Sequence, residues 1–336
     1  VDLRDQIKLL QKLGFDEAEE IAGPRALAEV KCALTDDWYA YEPGLQARYR
    51  ADLAERYHGG SPWRVKPSIL PNHLYPDIWV GDKACDWLRQ QGVSEQPWML
   101  WVSFPGPHEP WDTPNPWAGL HRKVQLPPAR PRPNWISRQP LHSECRQREL
   151  QWEQTPNNEE INTLRSDYAD HLTLLDYQLA RLLKHLPEPK RTSITIVSDH
   201  GELLGDAGFL YKSCFLEGAI RSLALHHRPS ILKRNKRWRK PIGLSWFLNA
   251  AAEDISGIQQ ITRSTSPKLV FSEFGEELLV TDEHRKLVLN TDGECLWATD
   301  LRKDPDEQTN LIEHFEKYSG QWDLLHEAGR RHLKSN

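Results

Sequence analysis

The sequence lacks the features that would tie it to a membrane, to a thiolate metal site or to nucleic acid. No apolar run approaches the ~20 residues that a membrane span needs, so we expect no membrane partner. The five cysteines are scattered and include no C-x-x-C pair, which argues against both a zinc site and a disulfide framework. Charged residues make up 27% of the chain and the net charge is -5, so we also expect no nucleic-acid partner.

The chain also lacks an ordinary start. It begins with Val1, and Met99 is its only methionine. We therefore expect a processed product, a fragment or a reading frame with an alternative start. Residues 1–15 form a charged amphipathic pattern and not a signal peptide, and on that ground the predicted location is cytoplasmic.

Two helical patterns that each lead into an apolar run predict an α/β fold. Residues 79–91 carry apolar side chains at helical spacing, and residues 98–104, which follow, are continuously apolar. Such a run is typical of a strand buried on both faces of a parallel sheet. Residues 161–186 repeat leucine at helical spacing and lead into a second apolar strand at residues 193–198.

Short strands follow in the last part of the chain. Residues 268–301 contain four short apolar runs that predict antiparallel strands, with a hairpin turn at residues 291–293. Residues 311–333 have a helical pattern. We therefore predict an α/β domain at residues 1–240, and a second domain of antiparallel strands plus a terminal helix at residues 241–336.

Two stretches show no usable periodicity. Residues 115–156 are rich in proline and arginine, which predicts an irregular surface insertion. Between Arg228 and Lys240, seven of thirteen residues are Lys or Arg. A run of this kind is usually a solvated loop, and we interpret it as one.

Ionisable side chains follow both predicted strands of the α/β part. His108 follows the first strand, and Asp199 and His200 follow the second. In open α/β sheets, ligands collect at the carboxyl ends of strands, and a carboxylate beside an imidazole can bind a divalent cation. Two ligands are too few for a site, however, and Asp199 could instead cap the following segment while His200 packs. Lys212, taken alone, is an ordinary surface lysine.

The stretch that begins at the second strand is more specific than its parts. Residues 198–202 read Ser-Asp-His-Gly-Glu, and residues 205–208 read Gly-Asp-Ala-Gly. Lys212 comes next, and residues 215–218 read Phe-Leu-Glu-Gly. A turn needs only one or two such residues, so this density of ionisable groups indicates more than turn formation.

Three further blocks occur in a matching order. Residues 98–114 end a strand in Pro-His-x-Pro, residues 167–183 form a helix with spaced Tyr and Asp, and residues 294–311 contain Asp-Leu-x-x-Asp-Pro-x-Glu-x-x-Asn-Leu. Together these blocks resemble the sulfatases of the alkaline phosphatase superfamily, over most of residues 79–312. The resemblance implies a mostly parallel sheet flanked by helices, with a small C-terminal antiparallel subdomain.

The resemblance also implies a role for each site residue. Asp199 and His200 would bind the divalent metal, usually Ca²⁺ and in some branches Mg²⁺ or Mn²⁺. Lys212 would contact the sulfonate oxygens of a small sulfate ester, and His108 would lie near the leaving-group oxygen. A metal and an ammonium neutralise charge on the transferring group, and an imidazole can donate a proton to the departing alkoxide.

The sequence departs from the family pattern at its beginning. The nucleophile motif, Cys/Ser-x-Pro-Ser-Arg, is absent and no cysteine fits it, so a formylglycine is not possible in this chain. The first strand or strands would precede Val1, which leads us to expect a separate N-terminal segment as a partner. Asp36 and Asp37 do not end an apolar strand, and we interpret them as surface loop. Arg25 could serve as a cation at the site.

Three interpretations stay open on these grounds. The chain is the larger part of a sulfatase-type hydrolase, inactive alone, or it is a non-catalytic remnant that binds a metal or an anion. Its substrate could also be a phosphonate monoester or a phosphodiester, because a metal-centred anion site stabilises sulfuryl and phosphoryl transfer by similar electrostatics.

Overall fold

The computed structural model divides the chain into two compact units. The described residues are 2–57, 61–92, 96–137, 155–229, 240–245, 247–249 and 268–335. The first unit comprises Val1–Pro128 and Trp152–Pro189, and the second comprises Ala129–Gln151 and Lys190–Asn336. The division predicted at residue 240 separates α/β elements from antiparallel strands. It stays a prediction.

The two stretches without periodicity fall partly outside the described residues. Of the basic stretch, only its ends are described, and residues 230–239 lie outside. Of the proline-rich insertion, residues 138–154 lie outside. Its described part before them contains turns and one 3-10 helix, Asn134–Ser137, which confirms the irregular structure expected there.

The first unit is helical. Its α-helices are α1 (Ile7–Lys12), α2 (Ala33–Tyr41), α3 (Leu45–Tyr57), α4 (Pro76–Gln91) and α5 (Asn158–His185). Short 3-10 helices lie at Leu3–Gln6, Ala26–Ala28 and Asn72–Leu74. Helices α4 and α5 confirm the two helices predicted from periodicity. Helix α5 begins at a capping box, in which the Asn157 side chain accepts from the backbone N–H of Glu160 and the Glu160 side chain accepts from that of Asn157.

Aromatic side chains occupy the core of the first unit. The rings of Trp38 and Tyr49 meet edge to face with centroids 5.1 Å apart. The Trp38 indole N–H donates to the Leu74 carbonyl oxygen over 2.9 Å, which satisfies the polar atom of a fully buried side chain. This packing fixes α2 and α3 against the 3-10 turn before α4.

Asp36 and Asp37 lie on the exposed face of α2, so the prediction of a surface position is confirmed and that of a loop is wrong. The helix begins where the Thr35 hydroxyl accepts a hydrogen bond from the backbone N–H of Cys32, over 2.8 Å. Asp37 accepts from the indole N–H of Trp79, over 2.8 Å. A local hydrogen bond and one long-range contact thus support a helix that contains two residues of low helix propensity.

The predicted buried strand at residues 98–104 is wrong, because this segment forms neither strand nor helix. Met99 and Trp101 are 57% and 60% exposed. An apolar run becomes a buried parallel strand only where neighbouring strands pair with both of its edges. The described part of the chain pairs its strands antiparallel, and its parallel bridge joins Asp2 to Lys31 alone. The expected mostly parallel sheet is therefore not formed by these residues.

The second unit contains all of the described strands. They are β1 (Ile194–Val197), β2 (Ala224–His227), β3 (Val270–Phe274), β4 (Glu277–Thr281), β5 (Arg285–Asn290) and β6 (Cys295–Asp300). Its helices are α6 (Glu217–Ile220) and α7 (Phe315–Ser335), with 3-10 helices at Asp206–Gly208 and Leu311–His314. Strands β1 and β2 form a two-stranded sheet, and β3 to β6 form a four-stranded sheet in sequential order. The α/β class and the C-terminal antiparallel subdomain are thus confirmed.

The four-stranded sheet buries both of its faces. Leu287 and Leu289 of β5 pack with Trp322 and Leu325 of α7 on one face. Val288 points to the other face and packs with Trp135, Phe215 and Trp297. The hairpin between β5 and β6 turns at Gly293, whose φ of 79° suits glycine, as the sequence predicted. None of the helices in the described ranges is long and apolar enough to cross a bilayer.

A buried lysine joins this sheet to α6. Lys286 of β5 is fully buried, and its Nζ lies 2.5 Å from Glu307 Oε1 and 3.2 Å from Glu217 Oε1. Glu307 Oε2 in turn accepts from the backbone N–H of Glu217 over 2.8 Å. Removing one partner of such a pair leaves an uncompensated buried charge. The triad Glu217, Lys286 and Glu307 therefore holds the segment after Lys212 against the sheet.

We expect Lys286→Met to lower the free energy of unfolding by about 3–5 kcal/mol, because Glu217 and Glu307 lose the cation between them. Urea unfolding followed by tryptophan fluorescence would measure this loss. Lys240→Met is the matched control, since the Lys240 side chain is 58% exposed and lies 3.6 Å from Glu283. The control should change stability by about 1 kcal/mol or less. Equal stability of the two variants would show that the triad does not support the fold.

Candidate functional site

Strand β1 delivers Asp199 and His200 at its carboxyl end. The β1–β2 pairing continues one residue beyond the strand, where Ser198 N donates to Leu223 O over 2.9 Å. The Asp199 side chain is 81% exposed, and that of His200 is half-buried. Their closest atoms, Asp199 Oδ2 and His200 Nε2, are 3.5 Å apart. An oxygen donor and a nitrogen donor thus lie side by side at the end of a strand.

The ring of His200 is oriented by the backbone. Its Nδ1 lies 2.8 Å from the carbonyl oxygen of Gly201, which can only accept a hydrogen bond. Nδ1 therefore carries the proton, and the lone pair of a neutral ring is on Nε2, the nitrogen near Asp199. This tautomer is the one that can ligate a cation together with the carboxylate.

Gly201 allows the turn after His200 to meet α6 closely. Its N–H donates to Ala219 O over 2.7 Å, and a Cβ at this position would overlap the carbonyl oxygen of Gly218. A side chain would push the two segments apart. Close packing against α6 therefore explains why residue 201 is a glycine, without reference to any ligand.

The backbone on both sides of Lys212 is left-handed. Tyr211 and Ser213 have φ values of 71° and 77°, a region that costs a non-glycine residue free energy. Glu202 holds this turn, because its Oε1 accepts hydrogen bonds from the backbone N–H groups of Tyr211 and Leu204. Lys212 is half-buried and lies in this turn. The Glu202 carboxylate therefore stabilises the backbone that carries Lys212.

Glu202 and Asp206 have structural roles in this loop that the sequence did not reveal. Asp206 Oδ1 accepts from the backbone N–H of Arg130 over 2.9 Å, and Ala207 N donates to Arg130 O over 2.9 Å. The Gly-Asp-Ala-Gly segment is thus tied to the chain near residue 130. The signal that could have found both residues is their place in a charged loop with two glycines, where backbone N–H groups need acceptors.

His108 lies in the first unit, whereas Asp199, His200 and Lys212 lie in the second. His108 Nδ1 is 2.8 Å from Glu109 Oε2 and 2.9 Å from Glu109 O. Glu109 is buried and also lies 3.3 Å from Arg25 Nη1. Arg25 therefore pairs with a carboxylate beside His108, and its guanidinium also stacks over the Tyr57 ring at 4.6 Å.

Asp199 and His200 offer one carboxylate and one imidazole nitrogen side by side. Across the described ranges, no group of three or more His, Cys, Asp or Glu side chains is placed to hold a metal ion. A carboxylate oxygen and an imidazole nitrogen suit a divalent cation chemically, so Asp199 and His200 fit as part of a coordination shell. Further ligands would have to come from other groups, including water.

A cluster of buried carboxylates in the first unit was also missed. Asp112 and Asp167 are 1% and 4% exposed, and within the described part of the chain the Oδ2 atom of each has no hydrogen-bond partner. Burial raises the pKa of Asp112 to about 7 and that of Asp167 to about 6. Both lie in segments that the sequence singles out, but their burial results from packing between segments that are far apart in sequence.

The fold is shared with known hydrolases. The phosphonate monoester hydrolase SpPMH from Silicibacter pomeroyi superposes with a TM-score of 0.69 at 17% identity, covering 91% of this chain and 69% of that chain. This structural likeness, together with that to the solved 2-O GAG sulfatase BT1596 (TM-score 0.55 at 17% identity), places the chain among α/β proteins of alkaline-phosphatase-like fold.

The sequence comparisons define the family. The Sulfatase family model matches residues 27–263, which is most of the chain, and the chain belongs to the sulfatase family. An arylsulfatase of Clostridium perfringens (strain 13 / Type A) is 26% identical over 313 residues, covering 86% of this chain and 63% of the relative. A choline-sulfatase of Rhizobium meliloti (strain 1021) is 28% identical over 220 residues, covering 59% and 41%. The chain thus spans less than two thirds of the length of these relatives.

The buried carboxylates predict how stability changes with pH. Because the pKa values of Asp112 and Asp167 are raised to about 7 and about 6, the folded protein binds protons more tightly than the unfolded chain does. Their contribution to stability is therefore present at low pH and is lost as pH rises through these values. We expect a lower melting temperature at about pH 8 than at about pH 5, measured by circular dichroism.

Asp112→Asn should make the melting temperature less dependent on pH over this range. Asparagine keeps an acceptor for the Tyr75 hydroxyl, which donates to Asp112 Oδ1 over 3.1 Å, but it cannot ionise. Asp86→Asn is the control, because Asp86 is half exposed and pairs with Arg89 at the surface. An unchanged pH dependence in Asp112→Asn would contradict the assignment.

Proposed function

We propose that the chain is the larger part of a sulfatase-type hydrolase that acts on small sulfate esters with a divalent cation bound in part by Asp199 and His200. The observation that carries the proposal is the arrangement at the end of β1, where Nε2 of a backbone-oriented His200 lies 3.5 Å from Asp199 Oδ2. It lies inside the segment that matches the sulfatase family. Relatives named arylsulfatase and choline-sulfatase support sulfate esters as the substrate class.

The cation would neutralise charge on the transferring sulfuryl group when bound. Asp199 and His200 are proposed to hold and orient it. Ca²⁺ is the metal that the family resemblance implies, but Ca²⁺ takes oxygen ligands and the His200 nitrogen is a softer donor. Mg²⁺ and Mn²⁺ therefore stay candidates beside Ca²⁺.

Lys212 is proposed to bind the sulfonate oxygens of the ester. An ammonium in a partly desolvated position stabilises negative charge more strongly than one in bulk water. The two left-handed residues that flank Lys212 support the proposal, since strained backbone of this kind clusters at functional sites.

His108 is proposed to donate a proton to the leaving alkoxide. Its Nδ1 faces the carboxylate and carbonyl oxygens of Glu109, at 2.8 and 2.9 Å, so Nδ1–H donates to Glu109. Nε2 is then the nitrogen that would exchange a proton with the leaving group. Glu109 would thereby act as the group that orients the acid.

The nucleophile is proposed to come from outside this sequence. No Cys/Ser-x-Pro-Ser-Arg occurs in it, so we expect no turnover by the chain alone. A separate N-terminal segment that carries the motif would complete the site, and the exposed apolar run at residues 98–104 is consistent with a strand that lacks a neighbour. A remnant that binds metal or anion without turnover is the alternative.

Phosphonate monoesters and phosphodiesters are the second substrate class. The electrostatic demands of phosphoryl and sulfuryl transfer are similar, since both spread charge over the equatorial oxygens of the transferring group. A cation, Lys212 and His108 would serve either reaction. The two classes differ in the groups that surround the ester, and a comparison of model substrates separates them.

Cation binding tests the first part of the proposal. Ca²⁺, Mg²⁺ or Mn²⁺ at about 100 times its Kd should stabilise the chain by about 2.7 kcal/mol, measured as a shift in the unfolding transition. Asp199→Asn and His200→Leu should abolish the shift. Asp292→Asn, which removes an exposed carboxylate from the β5–β6 turn, is the control and should keep it. An equal shift in Asp199→Asn and the control would place the cation elsewhere.

Turnover tests the second part. We expect no hydrolysis of an aryl sulfate or an aryl phosphonate by the chain alone, with or without Ca²⁺ or Mn²⁺, because no nucleophile motif is present. Release of the phenol would be followed by absorbance. Reproducible turnover that His108→Ala abolishes would show that the chain carries its own nucleophile.

A further inference from the structure

A buried Asp-His pair lies behind the turn that bears His108. Asp77 of α4 and His171 of α5 are 1% and 3% exposed, and His171 Nε2 lies 3.0 Å from Asp77 Oδ2. Neither residue belongs to the site described above, and neither was singled out in the sequence. The pair joins two helices inside the first unit.

The same pair contacts the backbone of Gly106. Asp77 Oδ1 accepts a hydrogen bond from Gly106 N over 2.8 Å. A Cβ on Gly106 would overlap His171 Nε2 and would lie 2.8 Å from Asp77 Oδ2. Gly106 therefore packs directly against Asp77 and His171, and no side chain fits at this position.

Gly106 and His108 belong to one turn. His108 N donates to Pro105 O over 3.3 Å, which closes the turn around Gly106. The position of the His108 backbone consequently depends on the position of Gly106. Side chains from two separate helices thus fix the base of the turn, and His108 lies two residues farther along.

The charge around His171 keeps the donor on Nε2. Burial would lower the pKa of His171, but the hydrogen bond to Asp77 and the charges of Asp77, Asp167 and Asp112 together raise it. The Tyr75 ring also packs against His171, with centroids 5.8 Å apart. Nε2 donates to Asp77 Oδ2, because a carboxylate oxygen can only accept, and this leaves Asp77 Oδ1 to accept from Gly106 N.

We propose that Asp77 and His171 are positioning residues that hold the Gly106 turn and thereby set the place of His108, an inference that rests on the leaving-group role proposed for His108. Asp77 accepts from the turn, and His171 fixes the rotamer of Asp77. Neither side chain touches the substrate in this scheme. The pair acts through the backbone.

The test uses the full chain labelled with ¹⁵N-glycine and ¹⁵N-histidine. In Asp77→Ala, we expect the Gly106 amide to exchange with solvent about tenfold faster, because it loses a charge-assisted hydrogen bond. The ring signals of His108 should also titrate at a different pH than in the unaltered protein. His171→Leu should change both signals in the same direction.

Two further variants distinguish positioning from general stability. His171→Gln places an amide donor where Nε2 lies and should restore both signals toward those of the unaltered protein. Leu174→Ala removes a fully buried side chain from the same helix and should destabilise the chain without changing either signal. If Leu174→Ala moved the Gly106 and His108 signals as far as His171→Leu does, the effect would be one of stability and the proposal would be wrong.

Unchanged Gly106 exchange and His108 titration in folded Asp77→Ala would also overturn the proposal. Should Asp77→Ala fail to fold, the comparison of His171→Leu with His171→Gln decides the question alone. These signals need neither a bound cation nor turnover. If Asp199 bound no cation, the proposed function would fail, but the Gly106 and His108 signals would still test the positioning role of Asp77 and His171.

Discussion

Carboxylates that accept hydrogen bonds from backbone N–H groups hold each loop that bears a candidate site residue. Asp77 holds the turn before His108, and Glu202 holds the turn around Lys212. Glu307 holds the start of α6, which packs against the turn after His200. Loops have no ladder to satisfy their N–H groups, and an ionised acceptor makes a stronger hydrogen bond than a neutral one. The positions of the site residues therefore depend on side chains that do not themselves belong to the chemistry.

The turn at Lys212 shows how this support offsets strain. Left-handed backbone at Tyr211 and Ser213 costs about 1–3 kcal/mol at each residue. The hydrogen bond from Tyr211 N to the Glu202 carboxylate contributes about 1.5–3 kcal/mol. Burial of Phe215 and Leu216 immediately after the turn adds packing free energy in the core of the second unit. The turn persists because its surroundings fix it, and it would relax if Glu202 were lost.

Local patterns predicted most elements of the fold, and long-range packing explains what they missed. Helix α5 and strands β3 to β6 follow from periodicity, since each is set by its own residues. The run at residues 98–104 has the composition of a buried strand, but burial requires partners that composition does not supply. The sequence places Lys286 in a predicted strand but does not show that it is buried, which follows from its contacts with Glu217 and Glu307. At the site, the Asp-His pair was predictable from its motif, whereas Asp77 and His171 were not.

Two features near the candidate site residues carry a free-energy cost of their own. Left-handed backbone at Tyr211 and Ser213 costs free energy that an ordinary turn would avoid, and the hydrogen bond from Tyr211 N to Glu202 offsets part of that cost. The buried pair of Asp77 and His171 likewise carries a desolvation penalty that apolar side chains of similar volume would avoid. Both features make physical sense if Lys212 and His108 must be held at defined places.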